Sequence, residues 1–148
     1  MKRTAEVTPE QAEEIRRQLA AGKDPRSIVV TKTKATRKGA KLGEMNGLET
    51  DFSVLLERRR IAGEILGWWY ESHRVRIAFG KKKVWVKFDF YVVGADGSRT
   101  YFETKGWWRT ACRLKIKVAA GVYKYDKFIG VRKRKKKDGG GFEYEAFS

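Results

Sequence analysis

The chain has 148 residues, 34 of them Lys or Arg against 18 Asp or Glu, and a formal net charge of +16. That length favours one domain with a real core, and 41% hydrophobic residues, including five Trp, exclude a wholly disordered basic tail. One Cys and one His exclude an internal disulfide and a Cys/His zinc cage, and the apolar runs are too short for a membrane span.

The charge surplus points to a polyanion, because each neutralised phosphate releases counterions. Nucleic acid leads. An anionic membrane surface would call for a basic amphipathic helix or a lipidation signal, and neither is found. With no signal-peptide pattern after Met1-Lys2-Arg3, a soluble, cytoplasmic protein is expected.

Thr8-Pro9-Glu10-Gln11 reads as a helix start, with Gly22 as the stop. Its apolar stripe (Val7, Ala12, Ile15, Leu19) is thin, so this helix is an appendage. Residues 31 to 43 are basic with almost nothing to bury, which makes 1–45 an N-terminal helix and basic arm and 46–148 the main domain. A second helix begins at Asn46 and carries Leu48, Phe52, Leu55, Leu56 and Arg59 at helical spacing, ending at Gly63 or Gly67. The period then changes toward two, predicting strands over 72–79, 84–93 and 99–105. A third helix over about 110–120 follows, capped by Thr110 and stopped by Gly121, and then strands at about 125–131 and 142–147. The fold class is α+β: helix, three-stranded antiparallel meander, helix, two further strands on a mixed sheet.

Along 84–93, Val84, Val86, Phe88, Phe90 and Val92 share one face, leaving Asp89 on the other. A turn centred on Asp96 places Asp89 across from Glu103, which shares its face with Tyr101 and Lys105. Two facing carboxylates need a proton or a cation between them: Lys105, or a divalent metal, for which oxygen ligands select Mg²⁺ or Mn²⁺.

Asp89, then Glu103-Thr104-Lys105 on an adjacent strand followed by a helix, resembles the PD-(D/E)XK nuclease superfamily. Ala62-Gly63-Glu64-Ile65, the run Glu103 to Trp108 and Arg113 to Ala120 are similar to small phage-encoded nucleases of that superfamily. The elements Gly47-Leu48-Glu49, Asp89-Phe90 and Glu103-Thr104-Lys105-Gly106 are also similar to phage Holliday-junction-resolving endonucleases. The resemblance spans roughly 45 to 147; Phe88 stands where the family usually has proline. It implies a restriction-endonuclease-like core and Mg²⁺- or Mn²⁺-dependent hydrolysis of DNA. Glu49, Asp89, Glu103 and Lys105 would be the catalytic set, with the metal on Asp89, Glu103, the carbonyl of Thr104 and Glu49. Glu44 and Glu57 are near enough in sequence to compete for the place of Glu49.

DNA contacts are expected from Arg109, Arg113 and Lys117 on the third helix, with Leu114 and Val118 packed inward. Others are expected from Trp107 and Trp108 by base stacking, and from the run Arg132, Lys133, Arg134, Lys135, Lys136 and Lys137, with Lys81 to Lys83 as a second clamp. Trp68 and Trp69 read as core, His73 as structural on an apolar face, and Cys112 as a small buried side chain. A branched substrate with two-fold symmetry implies a homodimer. No small-molecule cofactor is expected. The rival reading is a non-catalytic basic nucleic-acid-binding module in which Asp89 and Glu103 merely pair with lysines.

Overall fold

The computed structural model describes residues 9–23 and 44–148. The arm at 31–43, and Val7 and Thr8, lie outside the described residues.

Asn46 caps the second helix as expected. Its side chain accepts from the backbone N–H of Leu48 (2.9 Å) and Glu49 (3.0 Å), and Glu49 returns a bond to the Asn46 N–H (2.8 Å). This reciprocal cap satisfies donors that a helix start leaves orphaned. It opens α2 (Gly47–Ile61). The preceding helix α1 is Pro9–Ala20, and Gly22, at φ +77°, turns the chain out of it.

The strands are β1 (Ile65–Tyr70), β2 (Arg74–Ala78), β3 (Val84–Lys87), β4 (Phe90–Gly94), β5 (Arg99–Thr104), β6 (Lys127–Lys133) and β7 (Phe142–Phe147), with α3 (Thr110–Val122) between β5 and β6. Five of them form one mixed sheet in the order β1-β4-β5-β6-β7, and β2 and β3 pair separately. The fold is therefore α+β, with an antiparallel meander, a helix and two further strands as expected. The meander's first strand differs: it is β1, not residues 72–79. Ile65–Tyr70 reads poorly as a strand because its sequence, ILGWWY, is apolar throughout and does not alternate. Strand β5 pairs parallel with β6, which requires the crossover that α3 provides.

The second difference is a break at Phe88-Asp89 within the expected strand 84–93. In a continuous strand Phe88 and Phe90 share a face. Here the bend sends them to opposite faces. Phe90 and Val92 pack with Phe102, Val131 and the α2 residues Phe52, Leu55 and Leu56. Phe88 packs instead with Tyr101, Phe128, Phe147 and the α3 residues Ile116, Ala119 and Ala120. One helix thus covers each face of the sheet, and each face has its own aromatic cluster.

Helix α3 is rotated from its expected setting. Its inward side is Ile116, Ala119 and Ala120, while Leu114 and Val118 are exposed. Arg109, not Thr110, is the N-cap, and Gly121 lies inside the helix. Trp68 is core, with its Nε1–H on Glu57 (3.0 Å), but Trp69 points outward and is 42% exposed. His73 is exposed and lies against the Tyr91 ring (centroids 4.0 Å apart), and Cys112 is half-buried rather than buried.

Phe52 is the hub of the first cluster, edge-on to Phe90, Phe102 and Phe142 at 5.2–5.4 Å between centroids. Phe52→Ala is expected to destabilise the domain by about 3–5 kcal/mol, read from urea unfolding, because truncating a buried Phe loses transfer energy and leaves a cavity.

Candidate active site

The bend that splits β3 from β4 also sets the acidic pair. The β4–β5 register runs Phe90↔Phe102 to Val93↔Arg99, the register expected from a turn at Asp96. In that turn the Asp96 side chain accepts from the Ser98 N–H (2.9 Å) and Gly97 takes φ +79°. Asp89 lies one residue beyond the ladder. Its carboxylate is therefore not simply opposed to Glu103; Oδ2 accepts from the backbone N–H (2.7 Å) and hydroxyl (2.8 Å) of Thr104. The next residue of the other strand acts as its clamp.

Glu103 is 7% exposed near the end of β5. Lys105 Nζ lies 2.7 Å from its Oε1, and the Cys112 thiol points at the same oxygen from 3.9 Å. Its other oxygen, Oε2, is buried and accepts no hydrogen bond of ordinary geometry among the described residues. Burial, and then the charge of Asp89, push the Glu103 carboxyl up to about 7, with Lys105 and, more weakly, the Asp89 backbone N–H pulling the other way. Burial alone would lower the Lys105 ammonium, but its pairing with Glu103 outweighs that and holds it above its ordinary value. The four residues Asp89, Glu103, Thr104 and Lys105 are thus brought together.

Glu49, on α2, is engaged elsewhere. Its Oε2 takes both the Asn46 N–H and the Tyr70 hydroxyl (each 2.8 Å). Tyr70 was not anticipated as part of this region; it sits at the end of β1, the strand whose pattern the sequence hides. Burial and the bond to Glu49 raise the Tyr70 phenol well above its usual range, and the charges of Glu71 and Asp89 add to this. Among the described residues, no group of three His, Cys, Asp or Glu side chains is placed to hold a metal ion. Glu57 is occupied by Arg60 and Trp68.

The expected DNA-contact residues divide. Trp107 follows the Lys105-Gly106 pair and is 80% exposed; Trp108 is half-buried against Phe147 (5.9 Å) and over Gly130, where an added Cβ would meet its ring at 2.5 Å. Arg109 and Lys117 are exposed. Arg113 pairs with Glu145 and is partly neutralised. The basic run is not one loose turn: Arg132 and Lys133 belong to β6 and pair with Glu143 and Asp51, and Arg134 also reaches Glu143 (3.8 Å). Only Lys135, Lys136 and Lys137 are left at the tip, in and beside a 3₁₀ turn (Lys136–Asp138). Two clefts, of about 410 and 240 Å³, are lined by none of Asp89, Glu103 or Lys105.

No protein-family model, curated protein or solved structure matches the chain. The site is read from its own chemistry.

A buried carboxylate oxygen without a donor, next to a second carboxylate, is the environment a hard cation relieves. Mg²⁺ asks for only one or two carboxylates, keeping waters and substrate oxygens for its other positions. Asp89 and Glu103 meet that requirement without Glu49, and the residues fit the ion.

The raised Glu103 carboxyl has a consequence for stability. The folded state holds the proton more tightly than the unfolded chain, so this contribution is complete below the ordinary value of 4.5 and is lost as pH rises through about 7. In metal-free buffer the wild type should lose stability between pH 5 and 8 by up to about 3 kcal/mol relative to Glu103→Gln. Adding Mg²⁺ at pH 8 should restore it in the wild type alone. Urea midpoints measured across that range check both; parallel pH profiles for the two proteins would refute the assignment.

Proposed function

We propose that the protein is a metal-dependent DNA endonuclease that hydrolyses phosphodiester bonds. The observation that carries this reading is the buried, partnerless Oε2 of Glu103 held beside Asp89 and the Lys105 ammonium. Resemblance to the PD-(D/E)XK superfamily supports it at the same residues, as does a helix, antiparallel meander, helix and parallel strand in that order.

Asp89, Glu103 and the Thr104 carbonyl would hold Mg²⁺ or Mn²⁺, with Glu49 behind them through Tyr70. The ion would supply positive charge against the phosphoryl oxygens and a more acidic bound water. The chain's own parts do the rest. Thr104 fixes the Asp89 carboxylate so that it cannot rotate away. Lys105, kept charged, offers a donor to a water or to the phosphate as charge builds there. Cys112 closes the α3 side over Glu103. Trp107, beside the site, offers a face on which an unpaired base can stack, a contact worth about 1–3 kcal/mol.

Branched DNA such as a four-way junction is the proposed substrate class, and a homodimer, with one site per protomer, is the arrangement that would cut both of its symmetry-related strands. A phage protein of this kind would act in the host cytoplasm. No helix among the described residues is long and apolar enough to cross a membrane.

The second reading, a non-catalytic nucleic-acid-binding module, is favoured by one observation: Lys105 already satisfies Glu103 Oε1, and Glu49 is tied to its cap and Tyr70. Cleavage decides between them. With Mg²⁺ or Mn²⁺ and a labelled junction, flap, duplex and single strand, the wild type should give products. Asp89→Asn and Lys105→Ala should each lose about 100-fold or more in rate while still binding DNA. A wild-type protein that binds but cleaves none of these substrates would establish the module instead.

A further inference from the structure

The hairpin β2–β3 pairs with no strand of the main sheet. Its inner side is built from Val75 and Val86, which face each other, and Ile77; they pack into the α3 cluster, and the Tyr123 hydroxyl donates to the Arg76 carbonyl (2.8 Å). The ribbon is therefore anchored on one side. Alternation sends the neighbouring pairs, Arg74↔Lys87 and Arg76↔Trp85, to the other side.

That outer side has an unusual composition. Residues 72–87 contain six Lys or Arg and no acidic residue. Trp85 and Phe79 are 45% and 59% exposed, which is costly unless something covers them. Each already carries a guanidinium: Arg74 lies 5.0 Å from the Trp85 ring centre and Arg76 lies 4.7 Å from that of Phe79. Stacking of this kind holds an arginine extended while its donors stay available. Arg76 also bonds the carbonyls of Ala78 and Phe79, which stiffens the end of the hairpin just before Gly80 and the lysines 81 to 83. Elsewhere in the domain the basic residues pair repeatedly with acids, as Arg113, Arg132, Lys133 and Arg134 do. Among the described residues, Lys87 is the one basic residue of the ribbon with such a partner, Glu71 at 2.7 Å.

We propose that the β2–β3 ribbon is an arm that grips the phosphate backbone of duplex DNA beside the candidate site. The chain passes from Lys87 at the root of the ribbon to Asp89 in two residues, so a duplex lying along this face runs past the acidic pair. A two-stranded ribbon is also narrow enough to follow a major groove. The proposal rests on the reading of the protein as DNA-directed, but not on catalysis.

Binding of the full chain to a short labelled duplex is measured in EDTA over a salt series. The variants are Lys81→Gln/Lys83→Gln, Arg74→Gln, and a control that removes the same charge elsewhere, Lys124→Gln/Lys127→Gln. Matched thermal melting shows that each is folded. The tip variant should lose about tenfold in affinity at about 0.1 M salt, and its log–log salt slope should flatten by about one to two, as for one or two lost phosphate contacts. Arg74→Gln should flatten it by about one, and the control should bind within about twofold of wild type. Equal binding by tip variant and control, or no duplex binding by the wild type, overturns the proposal. A wild type that binds through the ribbon yet cleaves nothing with Mg²⁺ would sink the nuclease reading and leave this one standing. Cleavage with ribbon-independent binding would do the reverse.

Discussion

A carboxylate taken out of water beside another carboxylate must be given a proton or a cation, and the centre of this molecule is built around that demand. Glu103 is buried by the same β5 strand that carries Tyr101 and Phe102 into the two aromatic clusters, so its exposure cannot increase without opening the core. Lys105 answers one oxygen and nothing among the described residues answers the other. A surface Glu-x-Lys would be a weak ion pair. Burial is what turns the same three residues into a candidate catalytic group.

The bend at Phe88-Asp89 makes this arrangement possible. One continuous strand could not supply Phe88 to the α3 side and Phe90 to the α2 side, because alternate residues share a face. Breaking the ladder lets both aromatic clusters close, frees β2–β3 as a separate ribbon, and turns Asp89 onto the Thr104 amide. Packing, the separate ribbon and the acidic geometry thus depend on a single backbone irregularity. Burial of the Phe88 ring against Tyr101 and Phe128 holds this departure from a regular ladder.

Charge is organised as well as abundant. On β6 and α3 and just beyond β6, Arg113, Arg132, Lys133 and Arg134 are balanced by Glu143, Glu145 and Asp51. Among the described residues, the charge on the ribbon and around Trp107 and Arg109 is left largely uncompensated. A polyanion approaching such a surface is drawn toward the side that holds Asp89 and Glu103, whose own negative charge would otherwise repel a phosphate.

Local chemistry was legible in the chain itself. The cap at Asn46, the turn at Asp96, the register that follows from it, and the nearness of Asp89 to Glu103-Thr104-Lys105 are short-range patterns, set by residues within a few positions or across one tight hairpin. Strand β1 was hidden, because ILGWWY lacks the alternation that marks a strand, and with it Tyr70 and the true first strand of the meander. The rotation of α3 was hidden for a related reason: TACRLKIKVAA has two apolar stripes, and the choice of Ile116, Ala119 and Ala120 over Leu114 and Val118 depends on small residues allowing close approach to the sheet. Composition and spacing determined most of the elements and which acidic and basic residues meet across the β4–β5 hairpin. Only the packed structure decided which face each one shows, since that choice belongs to aromatic rings brought together from strands and helices far apart in the chain.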